Sequence, residues 1–298
     1  MGEGTAIAWT SATWNPFIGC QRISPGCGSG GKGGCYAERL ARDRMKLDVW
    51  GPASTTQRHR TAPSTWANVR RWNRAAEKSG VPMRVFVGSM MDWAEDHPQL
   101  DPWREEMWAL IRESTWIRFQ LLTKRADRIA KCLPPDWGEG YKNVWLGVSV
   151  EDQEWADKRI PHLLNVPAAV RFISYEPALA SLDLERYLWG TVSDTAGYFD
   201  RNGKERSGGI GGQTITARPQ NLLHLAIQGG ESGPNFRPMD MAWARSLRDQ
   251  CVAAGVAYFF KQQAAFRSGT RPYIEETDGS KWVWKQYPGD LKPPERVE

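Results

Sequence analysis

Three of the chain's five cysteines, Cys20, Cys27 and Cys35, fall in one Gly-rich stretch that begins WNPFIGCQRISPGC and ends GGKGGCYAERLARDRM. Thiolates at such short spacing are soft donors suited to zinc or to an iron–sulfur cluster, and Pro25 with the surrounding glycines lets a loop wrap round a metal. The count of three is informative. A structural zinc site closes with four protein ligands, whereas three thiolates on a four-iron cluster leave one iron open to a small molecule. On these residues alone, two other accounts stay open: zinc with a distant fourth ligand, such as one of the four histidines, and a Gly-rich loop with incidental cysteines. Cys132 and Cys251, each alone in a segment of helical composition, read as buried apolar side chains.

The elements that must position this loop follow from the apolar rhythm. Residues up to Gly19 suit a strand and a turn that deliver Cys20, and YAERLARDRM after Cys35 has helical composition, so the third cysteine stands at a helix start. Pro63 opens a second predicted helix through about Glu77, with Trp66, Val69 and Trp72 on one side. Buried strands are predicted at Arg84 to Met90, from Trp116 to Lys124, at Val144 to Glu151, at Val170 to Pro177, at Leu222 to Gln228 and from Val256 to Gln262. Helices are predicted at Asp101 to Glu113, ending at Cys132, at Asp152 to Leu164 and at Met239 to Ala254. Near-continuous apolar strands alternating with helices indicate an α/β fold with parallel strands covered on both faces: a partial TIM-like (βα) barrel of six or seven units, with the Cys loop after the first strand. In such folds ligands gather where the strands end. The polar residues at those exits are Ser89, Met90, Asp92, Thr123, Lys124, Ser149, Glu151, Ser174, Glu176, Gly230, Glu231 and Lys261. They form the candidate binding ring, although a turn cap or internal salt bridge explains any one of them taken singly. The barrel is expected over residues 1–267, with a Gly-rich insertion at about 190–220 that reads as a surface excursion, hairpin or lid, and a polar tail over 268–298.

A chain of 298 residues with 41% hydrophobic and 24% charged residues can bury a full core. No run approaches the roughly 18 to 20 apolar residues of a membrane span, and the amino terminus lacks a secretory pattern, so the expectation is a cytoplasmic protein in which thiols stay reduced. Residues 1–80 carry 12 Lys and Arg against 5 Asp and Glu, while 81–298 carry 27 against 29. The whole basic excess therefore lies beside the cysteines, in Arg39, Arg42, Arg44, Lys46, Arg58, His59, Arg60, Arg70, Arg71 and Arg74. It suits a phosphate backbone or nucleotide, with a solvated charged face as the plainer account. The 16 tryptophans read mainly as core.

The blocks WTSATWNPFIGCQRISPGCGSGGKGGCYAERLA, FQLLTKRADRI, VWLGVSVEDQEWADKRIPHLL, AAVRFISYEPAL, IQGGESGPNFRPMD and WARSLRDQCVAAGVAYFFKQ, in this order, resemble a phage-associated family regarded as radical S-adenosylmethionine enzymes and mostly of unknown function. The likeness to other such enzymes, spore photoproduct lyase among them, is more distant. The resemblance implies a radical S-adenosylmethionine barrel with a 4Fe–4S cluster on Cys20, Cys27 and Cys35, and S-adenosylmethionine on its open iron. Reductive cleavage of that cofactor would yield a 5'-deoxyadenosyl radical. The implied place of Ser89, Met90 and Asp92 is against the methionine amino group. A reductant such as flavodoxin or ferredoxin is the expected electron donor, and DNA the expected substrate, by way of an isomerase- or lyase-type step on a nucleobase in phage thymidine hypermodification. The sequence departs from the family in two places. Gly28 to Gly34 separate the second and third cysteines by seven residues where relatives usually have two, and the insertion near 190–220 is longer than usual. Two other classes remain as alternatives: a zinc-stabilised nucleic-acid-binding protein without catalysis, and a metal-dependent nuclease or phosphoesterase, whose hard metals would want Asp and His ligands in paired spacing.

Overall fold

The structure is a computed structural model that describes residues 5–28, 35–188, 192–193, 197–199, 205–206 and 223–297. Seven strands form the main sheet: β1 (Ala12–Trp14), β2 (Met83–Val87), β3 (Ile117–Thr123), β4 (Val144–Val150), β5 (Val170–Tyr175), β6 (Leu225–Gly229) and β7 (Ala257–Gln262). Their spatial order is their order along the chain, and neighbouring strands run parallel. That order, with a helix or loop crossing between successive strands, is the topology of a (βα) barrel that stops at seven strands.

The chain divides into two compact units, the first made of Met1–Gly147 with Pro167–Ala169 and the second of Val148–Val166 with Val170–Glu298. In the first unit, Pro63 starts α2 (Pro63–Ser79) because its fixed φ suits a first helical turn, after α1 (Tyr36–Leu40). The buried face of α2 is Trp66, Val69, Trp72 and Ala76, and Trp14 of β1 meets Trp66 edge to face at 5.4 Å between ring centroids. Helix α3 (Leu100–Glu113) buries Met107, Trp108, Leu110 and Ile111, and α4 (Ile129–Cys132) ends where the Trp108 indole donates to the Cys132 carbonyl. Half of the 16 tryptophans are core: Trp9, Trp14, Trp66, Trp72, Trp93, Trp108, Trp137 and Trp145 are all buried.

In the second unit, Asp152 caps α5 (Gln153–Leu164) by accepting from the Trp155 N–H, and Asp240 does the same for α6 (Met241–Ala254) through Ala242. Cys251 is fully buried on α6, as the sequence implies, and Cys132 is buried in the first unit. The expected insertion falls largely outside the described residues. Of its backbone, Val192–Ser193, Gly197–Phe199 and Glu205–Arg206 pair as antiparallel strands, the arrangement of hairpins.

Residues from 268 onward differ from a plain polar tail. Ile274–Glu275, Lys281–Val283 and Glu295–Arg296 form a three-stranded antiparallel sheet, and the chain between them pairs with β7: Phe260 N donates to Trp284 O at 2.9 Å and Gln286 N to Tyr258 O at 3.1 Å. An edge strand carries a row of unpaired backbone groups, and Trp284 to Gln286, the end of KWVW and the two residues after it, meet them. No described helix is long and apolar enough to cross a membrane.

Candidate metal centre

Cys20 is delivered by close backbone packing within the first unit. Gly19 N donates to Met90 O, Gly51 N donates to Cys20 O, and Gly19 has φ +121°. A Cβ at that position would lie 2.5 Å from Val49 O, so only glycine lets the chain enter the cysteine segment here. Cys27 is buried in a short turn beside Ser24, whose hydroxyl lies 3.8 Å from its sulfur. Cys35 immediately precedes α1, as expected, and packs against Ile18, Ala37, Ala41, Val49 and Met90.

Around Cys20 the exits of β2 and β3 supply a buried charge network. The Arg125 guanidinium donates to Cys20 Sγ (3.4 Å), to Asp92 (3.0 Å), to the Gln21 carbonyl (2.9 Å) and to Glu95 (3.2 Å). Asp92 also accepts from the Thr123 hydroxyl (2.5 Å) and from the backbone N–H groups of Lys124 (3.0 Å) and Ala94 (3.1 Å). Glu95 pairs with Arg58 at 2.8 Å, both side chains essentially without solvent exposure. Burial pushes the Cys20 thiol well up, and the Arg125 charge pulls against that shift. Burial likewise raises the Cys35 thiol, and the nearby Cys27 adds to the effect. Burial works against the Arg125 charge, yet Asp92, Cys20 and Glu95 hold it above the usual arginine range.

The donor chemistry fits a thiolate-ligated centre. All three thiols are free, Cys27 stands near enough to Cys35 to influence it, and Cys20 receives a cationic N–H donor. Among the described residues no three His, Cys, Asp or Glu side chains are gathered closely enough to grip a metal, and residues 29–34, which join Cys27 to Cys35, lie outside the described set. His97 offers no spare imidazole nitrogen as a fourth zinc ligand. Its Nε2 lies 3.0 Å from Thr56 O and its Nδ1 accepts from the Gln99 N–H.

The other predicted residues sort by their contacts. Asp92, Thr123 and Lys124 meet at the Cys20 network. Ser89 accepts from Asn15 at 2.8 Å and bonds the hydroxyl of Tyr36, the residue after Cys35. Met90 is buried core, its N–H held by the Asn15 side chain. Within the second unit, Ser149, Ser174, Glu176 and Lys261 come together: Lys261 pairs with Glu176 at 2.7 Å, Ser174 donates to the same carboxylate, and Ser149 donates to the Glu176 carbonyl at 3.4 Å. Glu151 instead forms a fully buried pair with Arg159 at 2.9 Å, which fastens α5 to β4. Glu231 binds Arg237 through both carboxylate oxygens; burial raises its carboxyl, but the bonds from Arg237 outweigh that and hold it below the usual range. At Gly230 the close approach is made by the chain itself, since a Cβ there would lie 2.2 Å from the Ala264 nitrogen.

Residues 4–288 match the family described as Protein of unknown function (DUF5131). The chain belongs to that family. No curated protein and no solved structure matches it.

For this DUF5131 member, the cysteine pattern singles out the segment of Cys20 but does not show what holds it. Arg125, Glu95, Arg58 and Asn15 hold it, and none of them is among the exit residues the sequence singles out. The signal for Glu95 and Arg125 was the charged run after each strand, acidic DWAED after β2 and basic TKR after β3, in which several like charges compete and spacing cannot choose; Arg58 and Asn15 carry no such local signal. Arg58 also shows that part of the basic excess is structural. It is buried against Glu95, and Arg60 and Arg70 pair with Glu106 and Glu113 of α3, so part of the positive charge is neutralised within the unit.

Proposed function

We propose that the chain is a radical S-adenosylmethionine enzyme whose Cys20, Cys27 and Cys35 hold a 4Fe–4S cluster. The observation that carries the proposal is the setting of Cys20: a free thiol at the start of the first βα crossing of a parallel sheet, fixed from two further strand exits by Arg125, Asp92 and Glu95. When bound, the cluster with S-adenosylmethionine supplies reductive cleavage to a carbon-centred oxidant, with the electron coming from a reductant such as flavodoxin or ferredoxin. The chain's own residues keep Cys20 aimed and hold Asp92 against the Arg125 guanidinium, in a cage whose side chains are at most about a tenth exposed. The half-buried Glu176–Lys261 pair is a second polar site, able to exchange its internal partner for a charged group of a ligand.

The substrate proposed is a nucleobase carried in DNA. Support comes from the face next to the third cysteine, where Tyr36 is 51% exposed and Leu40 and Met45 are also exposed, flanked by exposed Arg42, Arg44 and Lys46. An aromatic ring among cations is the combination that stacks on a base and holds phosphate. Two measurements test the proposal. Anaerobically purified protein is expected to carry about four irons per chain, absorb broadly near 400 nm and release 5'-deoxyadenosine with dithionite, whereas stoichiometric zinc without iron would overturn the chemistry. Binding to a DNA duplex or single strand is expected to weaken as salt rises; absence of binding at low salt would overturn the substrate while leaving the chemistry standing.

A further inference from the structure

We propose that Arg125 is the positioning residue of the first cysteine and that, by donating an N–H to Cys20 Sγ, it raises the reduction potential of the centre bound there. The inference rests on the cluster reading above. Guanidinium presents its donors in a rigid planar fork, and here both terminal nitrogens are engaged: Nη1 faces Cys20 Sγ and Asp92, while Nη2 faces the Gln21 carbonyl and Glu95. The same side chain therefore grips Cys20 by its sulfur and by the carbonyl of the next residue.

Nothing about that aim is left to a flexible stem. The Arg125 backbone N–H donates to Thr123 Oγ1 (2.9 Å), and Thr123 in turn donates to Asp92. Glu95 is locked from its other side by Arg58, which also donates to the carbonyls of Val49 and Gly51, and Gly51 is the residue whose N–H holds Cys20 O. Two guanidinium groups and two carboxylates balance within this cage, whose side chains are at most about a tenth exposed. A thiolate at Cys20 is then one further negative charge, and Arg125 is the cation that touches it.

Hydrogen bonds to ligating sulfur and the local charge are among the levers that set the potential of a thiolate-bound iron centre. An N–H directed at the sulfur, carried by a cation in a dry setting, stabilises the reduced centre with its extra electron more than the oxidised one. Asp92 and Glu95 position Arg125 and do not reach the sulfur. Lysine at this place would keep the charge but lose the fork, with three donors on a flexible chain.

The test uses the full chain as wild type, Arg125→Gln and Arg125→Lys. Iron and sulfide content are measured, and the midpoint potential is taken from a redox titration followed by electron paramagnetic resonance. Far-ultraviolet circular dichroism and thermal unfolding report on the fold. Expected results are a more negative midpoint in Arg125→Gln, a smaller shift in the same direction in Arg125→Lys, and lower iron retention in both. A structural role alone would lower iron content without moving the potential of the cluster that remains. Wild-type potential and iron content in Arg125→Gln would overturn the inference and leave the proposed function intact; wild-type protein without iron would overturn both. Should Arg125→Gln fail to fold, Arg125→Lys carries the same decision: an unshifted potential there overturns the inference.

Discussion

Glu95 has almost no exposure, yet it accepts from Arg58 Nε (2.8 Å) and Nη2 (3.0 Å), from Arg125 Nη2 (3.2 Å) and from the Gln21 N–H (3.0 Å). Breaking a buried pair by removing one partner's charge leaves the other desolvated and uncompensated, a loss of about 3 kcal/mol or more. Glu95→Gln keeps shape and one acceptor, so it isolates the charge. Its expected effect is a lower urea midpoint by an amount corresponding to that loss, together with reduced metal retention at Cys20. An unchanged midpoint would mean that Arg58 finds other partners. The residue types of this cage are plain in the sequence, but pairing is not: Arg58 stands in a basic run that suggests phosphate, and Glu95 in the acidic run DWAED. Only their meeting across 37 positions makes each a structural charge.

At the scale of elements, strand exits do two jobs, and the glycines show which. Where β6 leaves the sheet, Gly230 donates to Gln262 O and accepts from the Gln262 side chain, while its missing Cβ leaves room for the Ala264 backbone. Gly230→Ala is therefore expected to push apart the ends of β6 and β7 and to destabilise the protein by about 1–3 kcal/mol, seen as a lowered thermal midpoint. Unchanged stability would show that the 264–265 backbone can retreat. The strands and most helix bounds were legible because apolar periodicity and signals such as Pro63 and Asp152 act locally. Strand β2 nonetheless stops at Val87, short of the predicted Met90, since Asn15 takes the Met90 N–H and so turns the chain.

For the molecule as a whole, the carboxyl-terminal residues matter more than their polar composition suggests. Tyr258 and Phe260 of β7 exchange backbone hydrogen bonds with Gln286 and Trp284, and the Gln286 side chain accepts from the Tyr258 N–H. Removing residues 268–298 would expose that edge, a template for association between chains. The expected outcome is a shift to larger species than the full chain forms on size-exclusion chromatography and faster hydrogen exchange at the Phe260 amide; an unchanged association state with unchanged exchange would show that β7 does not depend on them. The sequence by itself determined the alternation of parallel strands with helices and the segment holding three thiols, because periodicity, helix starts and thiol spacing are short-range properties of the chain. Which charges surround Cys20, which glycine admits the backbone and where the last residues pair were decided only in three dimensions. Those contacts join positions tens of residues apart, and among several equivalent arginines and carboxylates it is burial, not residue type, that selects the partner.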